Sequence, residues 1–264
     1  MELRDLATRV VTTEEIALKL RPERQITDLN PGSPTRLDAP GRPANLTIRP
    51  ARQVKIPAIE GMADPKQRPR ILHALANHEL QAAELFAWAV LAFADAPPEF
   101  RQGLAKILSD EQRHTRMYIA RVEACGCRFG DFPVSGYFWH KVPSILSPMH
   151  FISAMSLTFE NANLDHVVDY AEAARKAGDI KTAQVIETIG RDEVEHVRFG
   201  WQWLNRWKDP QTDAWDAWTD HLEWPLRPIK AKGRQFQRQA RRTAGLDEAF
   251  IDRLESAEDA EDTR

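Results

Sequence analysis

Apolar and polar positions alternate with a helical period through the middle of the chain. Between residues 71 and 207, apolar side chains recur every three or four positions, the spacing that places them on one face of an α-helix. Two stretches interrupt this pattern: residues 95–98 contain a proline pair, and residues 176–179 contain a glycine suited to ending a helix. The pattern therefore predicts amphipathic helices at residues 71–94, 99–124, 151–176 and 180–207.

The lengths of the connections predict how these helices are arranged. The two short interruptions join the first helix to the second and the third to the fourth, so each pair should form an antiparallel hairpin. Residues 125–150 separate the hairpins, and a connection of this length lets the second and third helices run parallel. We therefore predict an all-α fold built on a four-helix bundle with a long crossover. The aromatic side chains of the crossover should mainly pack against the bundle, with substrate lining as the alternative.

The segments outside the bundle differ in composition. Residues 1–20 predict one or two short helices, whereas frequent prolines in residues 21–70 predict an extended arm on the bundle surface, with a disordered linker as the alternative. A tryptophan-rich helix and a final helix should follow Pro210, ending in an acidic tail from Glu255 to Asp262. The predicted division is an N-terminal segment at 1–70, the bundle at 71–208 and a C-terminal extension at 209–264.

The second and fourth helices carry copies of one motif. Residues 110–114 read Asp-Glu-Gln-Arg-His and residues 192–196 read Asp-Glu-Val-Glu-His, so each contains a Glu-x-x-His pair on one helix face. A single glutamate precedes each pair at a similar distance: Glu79 lies 32 residues before Glu111, and Glu160 lies 33 residues before Glu193. The midpoints of these spacings fall in the two short loops. Each single glutamate should therefore face the Glu-x-x-His pair across its hairpin.

The positions of these residues predict a metal site. Several of the glutamates interrupt the apolar stripes, and an unpaired carboxylate in a core costs several kcal/mol or becomes protonated. Two halves packed face to face would surround one point with four carboxylates and two imidazoles, the ligand set of dinuclear sites in four-helix bundles. The predicted ligands are Glu79, Glu111, His114, Glu160, Glu193 and His196. Oxygen and nitrogen ligands without thiolate favour two iron ions, with manganese as the alternative metal.

Further polar residues accompany this set. A second acid lies five residues after each single glutamate, Glu84 in the first half and Asp165 in the second. Five residues rotate a helix so that the second acid points about 140° away from the first, and we keep Glu84 only as the alternative ligand to Glu79.

The residues just before the ligand glutamates have a different predicted role. Asp110 and Asp192 are candidates to accept a hydrogen bond from a ligand imidazole, with Arg113 neutralising one of them. The alternative is that both are ordinary acids on the helix surface.

Composition narrows the class of protein. The net charge of −3 and the absence of an apolar run of about 20 residues give no support to nucleic-acid binding or to a membrane span. The N-terminus has no signal-peptide pattern, and Cys125 and Cys127 are too close for an ordinary structural disulfide, so we expect a cytoplasmic protein. A basic run at residues 227–242 should be a solvated helix face, with RNA or an acidic partner as the alternative.

These motifs resemble known families. The paired halves resemble the ferritin-like di-iron carboxylate superfamily, and residues 110–114 are similar to the Asp-Glu-x-Arg-His motif of bacterial multicomponent monooxygenases and ribonucleotide reductase small subunits. Residues 76–83 resemble the first ligand helix of tRNA-hydroxylating di-iron enzymes. Larger stretches resemble the DUF455 family, at residues 73–88, 132–139, 155–165 and 192–200. The resemblance implies a ferritin-like bundle and a di-metal site. In the monooxygenases and ribonucleotide reductase small subunits, the aspartate that corresponds to Asp110 contacts a ligand histidine.

The expected function is oxidation or hydroxylation of an unidentified small organic molecule by dioxygen at a non-haem di-iron, or iron/manganese, centre. An external electron donor is expected, because the chain has neither a glycine-rich nucleotide motif nor a cysteine cluster for iron and sulfur. A homodimer is the candidate assembly. The alternatives are a ferritin-like protein for iron oxidation, storage or peroxide removal, a tRNA-modifying hydroxylase, and a metal-free structural bundle.

Overall fold

A computed structural model of the protein describes residues 1–223 and 225–258. The protein is mainly helical, so the predicted all-α class is confirmed, and no helix in the described part of the chain is long and apolar enough to span a membrane. The α-helices are α1 (Leu3–Thr12), α2 (Ile16–Lys19), α3 (Arg68–Ala92), α4 (Pro98–Ala124), α5 (Pro148–Ala154), α6 (Asn161–Lys176), α7 (Ile180–Trp207), α8 (Ala214–Thr219), α9 (Arg238–Ala244) and α10 (Glu248–Glu255). The two short strands are β1 (Ile48–Arg49) and β2 (Val134–Ser135).

The chain divides into two compact units. The first unit consists of residues 1–143 and 176–182, and the second consists of residues 144–175 together with the chain from Ala183 onward. The first unit joins α3 and α4 to the N-terminal arm. The second unit joins α5, α6 and most of α7 to the C-terminal extension. Each unit thus combines helices that carry predicted ligands with one terminal segment.

In the first unit, α3 and α4 pack against each other, and α1 packs on α3. Proline stands in the first turn of both long helices, where its missing N–H leaves no hydrogen bond unmade. Helix α3 is buried along most of its length because it is alanine-rich and apolar on nearly all sides.

The N-terminal arm forms hydrogen bonds with α3. The backbone N–H of Thr35 donates to the Leu91 carbonyl at 2.8 Å, and the Trp88 indole donates to the Leu37 carbonyl at 3.0 Å. Strand β1 of the arm pairs in parallel with β2 of the crossover. These bonds satisfy backbone groups of a segment that has little regular secondary structure.

In the second unit, the third predicted helix is not a uniform α-helix. A π-helical turn, Met155–Glu160, separates α5 from α6. This corrects the expectation of one regular helix at residues 151–176. A wider turn changes the face on which the following residues lie.

The C-terminal extension packs through aromatic rings. The Phe250 ring lies 5.1 Å from the Trp201 ring and 5.1 Å from the Trp218 ring, measured between centroids. The predicted tryptophan-rich helix is therefore present as α8, and its Trp218 is buried. Trp224 and residues 259–264 lie outside the described residues, and with them the second half of the predicted acidic tail.

Candidate metal centre

The first unit brings together three of the predicted ligands. Glu79 comes from α3, and Glu111 and His114 come from α4; all three side chains are buried. One donor atom from each residue lies within 4.8 Å of the others. The antiparallel packing of α3 and α4 produces this cluster, because the single glutamate and the Glu-x-x-His pair are nearly equidistant from the loop.

Distances within this first triad suit a shared cation. His114 Nδ1 lies 3.4 Å from Glu79 Oε2 and 3.6 Å from Glu111 Oε2. Charge-assisted hydrogen bonds between such groups are shorter, at about 2.7–2.9 Å. Ligands that each lie about 2.0–2.2 Å from one ion are separated from each other by roughly 3–4 Å, which is the spacing found here.

The second unit brings together the other three predicted ligands. Glu160 is the last residue of the π-helical turn, and Glu193 and His196 lie on α7. All three are buried, and their donor atoms also lie within 4.8 Å of one another. His196 Nδ1 is 3.1 Å from Glu193 Oε2, and the Asn163 amide donates to Glu193 Oε1 at 2.9 Å. The amide orients Glu193. The residue of the first half that matches Asn163 is Ala82, which has no amide side chain.

The two triads have the donor chemistry expected of an iron or manganese site. Each offers two carboxylates and one imidazole, and neither contains a thiolate. A divalent cation would balance carboxylates that burial otherwise makes costly. The residues present therefore fit such an ion.

The predicted neighbours of the ligands lie on the same helices. Asp110 is half-buried on α4 and accepts a hydrogen bond from Arg113 at 2.8 Å, which is the neutralising pair that the sequence suggests. Asp192 is half-buried on α7. Hydrogen bonding of either aspartate to a ligand imidazole stays a prediction.

Glu84, the alternative ligand, is fully buried and bound on both carboxylate oxygens. Arg42 donates to both of them at 3.1 and 2.7 Å, Lys19 donates at 3.0 Å, and the Trp139 indole donates at 2.8 Å. Burial alone would raise the pKa of Glu84, but the charges of Arg42 and Lys19 outweigh it and hold the pKa below its usual value. These contacts favour Glu79 as the ligand.

Asp165, the matching acid of the second half, is also fully buried and bound on both carboxylate oxygens. Both of its oxygens accept hydrogen bonds from the buried Arg241, at 2.7 and 2.9 Å. The backbone N–H groups of Gly233 and Gln237 also donate to it, at 2.8 and 2.6 Å. Sequence reasoning identified both acids but missed their partners, because nothing in the sequence distinguishes Arg42 or Arg241 from neighbouring arginines.

The basic run is largely paired with acids of its own unit. Arg238 contacts Glu248, Asp252 and Glu255, and Arg242 also pairs with Glu248. These pairs reduce the positive charge that the run could offer to RNA, which weakens the main local argument for a tRNA substrate.

His73 is a buried histidine outside the triads. Its Nε2 accepts a hydrogen bond from the Gly130 backbone N–H at 2.8 Å, and the rings of Phe129 and Phe132 lie against it. Burial lowers the pKa of His73 to about 4, although the charge of Asp131 acts in the opposite direction. The bond and the rings give this histidine a structural role.

The family of the chain follows from its match over nearly the full length. Residues 2–252 match DUF455, a family described as protein of unknown function. The chain belongs to the DUF455 family. This DUF455 protein is also similar to an uncharacterised protein of Haemophilus influenzae, with 24% identity over 160 residues. The aligned region covers 57% of this chain and 56% of that relative. No solved structure matches the chain.

Proposed function

We propose that the two triads bind two metal ions and that the protein is a non-haem di-iron, or iron/manganese, oxidoreductase. Its reaction would be the oxidation or hydroxylation of a small organic molecule by dioxygen, with electrons from a separate donor. The observation that carries this proposal is the burial of two matching clusters, each with two carboxylates and one imidazole. The duplicated spacing in the sequence supports one dinuclear centre in a ferritin-like bundle.

The residues of the triads have separate tasks in this proposal. Glu79, Glu111 and His114 would hold one ion, and Glu160, Glu193 and His196 would hold the other. A bound pair of ions would supply the two-electron reduction of dioxygen. Burial of all six side chains excludes bulk water from the ligands, and the amide of Asn163 fixes the carboxylate plane of Glu193.

Metal content is the first test. The protein is expressed with iron and manganese supplied, and metal is measured by elemental analysis in the wild type, in His114→Ala, in His196→Ala and in a control, His150→Ala, outside both triads. We expect about two ions per chain in the wild type and the control, and a loss of at least about half in each triad variant. Wild-type protein with fewer than about 0.5 ions per chain, or triad variants with wild-type content, would overturn the proposal.

Dioxygen consumption separates the oxidoreductase from the iron-handling alternative. Iron(II) is added without oxygen in steps, and oxygen uptake is then followed with and without a chemical reductant. An oxygenase should stop taking up oxygen once its bound iron is oxidised and should resume only when reductant is present. Continued rapid oxidation of iron far beyond the bound amount would instead favour iron oxidation and storage.

A further inference from the structure

The helix that carries Glu160 contains a structural irregularity directly before the ligand. The π-helical turn Met155–Glu160 ends at Glu160 itself. Each residue of an α-helix turns the chain by about 100°. A wider turn that takes in one extra residue therefore rotates the residues after the turn by about this angle relative to the residues before it. The direction in which Glu160 points, relative to α5, is therefore set by this turn.

A π-helical turn disturbs the regular backbone pairing and persists where other groups satisfy the backbone. Three carbonyls in or beside this turn accept hydrogen bonds from side chains. The Ser153 carbonyl accepts from the Thr158 hydroxyl at 2.7 Å and from the Trp218 indole at 3.2 Å. The Leu157 carbonyl accepts from the Asn161 amide at 3.3 Å, and the Asn161 carbonyl accepts from Arg241 at 3.0 Å.

Two of these donors come from the C-terminal extension, far along the chain from the turn. Trp218 lies on α8 and Arg241 on α9, and both side chains are fully buried. Their donors reach carbonyls on either side of the turn, at Ser153 before it and at Asn161 after it. The extension thus bonds to both ends of the irregular segment.

Arg241 is itself held rigidly. Besides its two bonds to Asp165, it donates to the Ala231 carbonyl at 3.1 Å, and its guanidinium lies 3.9 Å from the centre of the Phe236 ring. Asp165 lies on α6, only five residues after Glu160. One guanidinium therefore fixes α6 at a carbonyl and at a carboxylate close to the proposed ligand.

We infer that Trp218 and Arg241 are positioning residues of the metal centre, which hold the π-helical turn so that the Glu160 carboxylate points into the second triad. This inference rests on the proposed function and adds a task for the C-terminal extension. Loss of both contacts favours the regular α-helical register, which would turn Glu160 away from Glu193 and His196 by up to about 100°. Glu79 lies in the uninterrupted helix α3, so the first triad should not depend on these two residues.

The test removes the donors while keeping the bulk of both side chains. Trp218→Phe keeps an aromatic ring but removes the N–H, and Arg241→Lys keeps a cation beside Asp165 but removes the fork that reaches Asn161. Trp215→Phe, in the same aromatic cluster, is the matched control. Cobalt(II) affinity is measured for each protein by optical titration against a competing chelator, and the thermal unfolding midpoint is measured in parallel.

In Trp218→Phe/Arg241→Lys, we expect one of the two cobalt sites to weaken by about 10-fold to 100-fold, the size of effect typical for groups that orient a metal ligand. The other site and the Trp215→Phe protein should keep wild-type affinity. If the double variant does not fold, Trp218→Phe alone provides the test, with a smaller loss at the same single site.

The two proposals fail in different ways. The positioning inference is overturned if the wild type binds two ions and a folded double variant also binds both at wild-type affinity. That result leaves the proposed metal centre intact. Equal weakening of both sites also overturns it, because that pattern indicates general destabilisation. Wild-type protein that binds no cobalt, iron or manganese overturns the proposed function and the inference together.

Discussion

Glu84 in the first unit and Asp165 in the second occupy matching positions and are bound by different means. Each lies five residues after a proposed ligand glutamate, is fully buried and pairs with a buried arginine from a terminal segment. Glu84 is shared by two cations and an indole, whereas Asp165 is bound by one cation and two backbone N–H groups. Each terminal segment is thus joined by a buried charge pair to a helix of its own unit that carries a ligand candidate or lies next to one.

The helices that carry Glu79 and Glu160 differ more than the charge pairs that bind Glu84 and Asp165. Helix α3 is regular through Glu79, while the helical segment through Glu160 contains the π-helical turn. The comparison indicates that one proposed ligand, Glu79, is positioned by a regular helix, whereas the other, Glu160, follows an irregular turn. Functional sites are common places for such turns.

Removal of the Glu84 carboxylate should have the largest effect on stability. Glu84→Ala leaves Lys19 and Arg42 in the core without their shared anion, and breaking a buried pair of this kind costs about 3–5 kcal/mol. Urea unfolding followed by circular dichroism measures the change. Asp165→Ala is the matched variant of the second unit, where only one buried cation loses its partner, and its loss should be smaller. An equal or larger loss in Asp165→Ala would break the proposed difference between the halves.

Acid should destabilise the protein through His73, which has no counterpart in the second half because Ala154 stands at the matching position. The folded pKa of about 4 lies below the ordinary value of 6.5, so the unfolded chain binds more protons between these values. The stabilisation is complete above about pH 6.5 and falls as the pH drops towards 4, by on the order of 3 kcal/mol in total.

The unfolding free energy of wild type and His73→Phe, measured across this pH range, checks the contribution. The variant should lose that part of the pH dependence, whereas His140→Phe, at an exposed histidine, should retain it. Identical pH profiles for the wild type and His73→Phe would show that the ring is not held neutral by the fold.

Gly200 should tolerate no side chain, in contrast to its counterpart in the first half, the buried Tyr118. A methyl group at Gly200 would lie 2.4 Å from Ser156 Cβ in the π-helical turn, and a Cβ atom moves only with its backbone. We expect Gly200→Ala to lose about 1–3 kcal/mol by overpacking, although alanine has the better helix propensity. Unfolding curves for Gly200→Ala and for Ser156→Gly/Gly200→Ala test this, since the second change removes the clashing atom. If adding Ser156→Gly to Gly200→Ala recovered no stability, the close approach of residues 156 and 200 would be contradicted.

Arg238 should show the smallest effect, although it contacts three acids on α10. It lies on the same helix as Arg241, but its ion pairs are at the surface, where water and salt screen them. Arg238→Ala should therefore change the unfolding midpoint only slightly, and less still at high salt. A loss as large as that of Arg241→Ala would show that burial does not distinguish the two arginines.

Much of the helical framework could be predicted from the sequence. Helices α3, α4 and α7 begin and end within three residues of the predicted limits, because prolines and glycines mark their ends and their apolar stripes are regular. The clustering of each single glutamate with its Glu-x-x-His pair also followed from spacing alone, since facing residues of a hairpin are equidistant from its loop.

Other features depend on contacts between distant residues and were not predictable. The π-helical turn needs donors from Trp218 and Arg241, and no sequence pattern at residues 155–160 predicts these distant donors. The cationic partners of Glu84 lie 65 and 42 residues earlier in the chain, so periodicity could not separate its role in a buried charge cluster from a ligand role.

The order of the buried charge pairs along the chain has a consequence for biosynthesis. When Glu84 leaves the ribosome, Lys19 and Arg42 have already been made, so the first unit can neutralise its acid at once. Asp165 must wait for Arg241, which is 76 residues later and requires about 4–15 s of translation at ordinary elongation rates. During that interval the nascent second unit has a core carboxylate, Asp165, without its cation. The carbonyl that follows the π-helical turn also lacks its donor, Arg241. We expect this interval to be the one in which the growing chain depends most on chaperones.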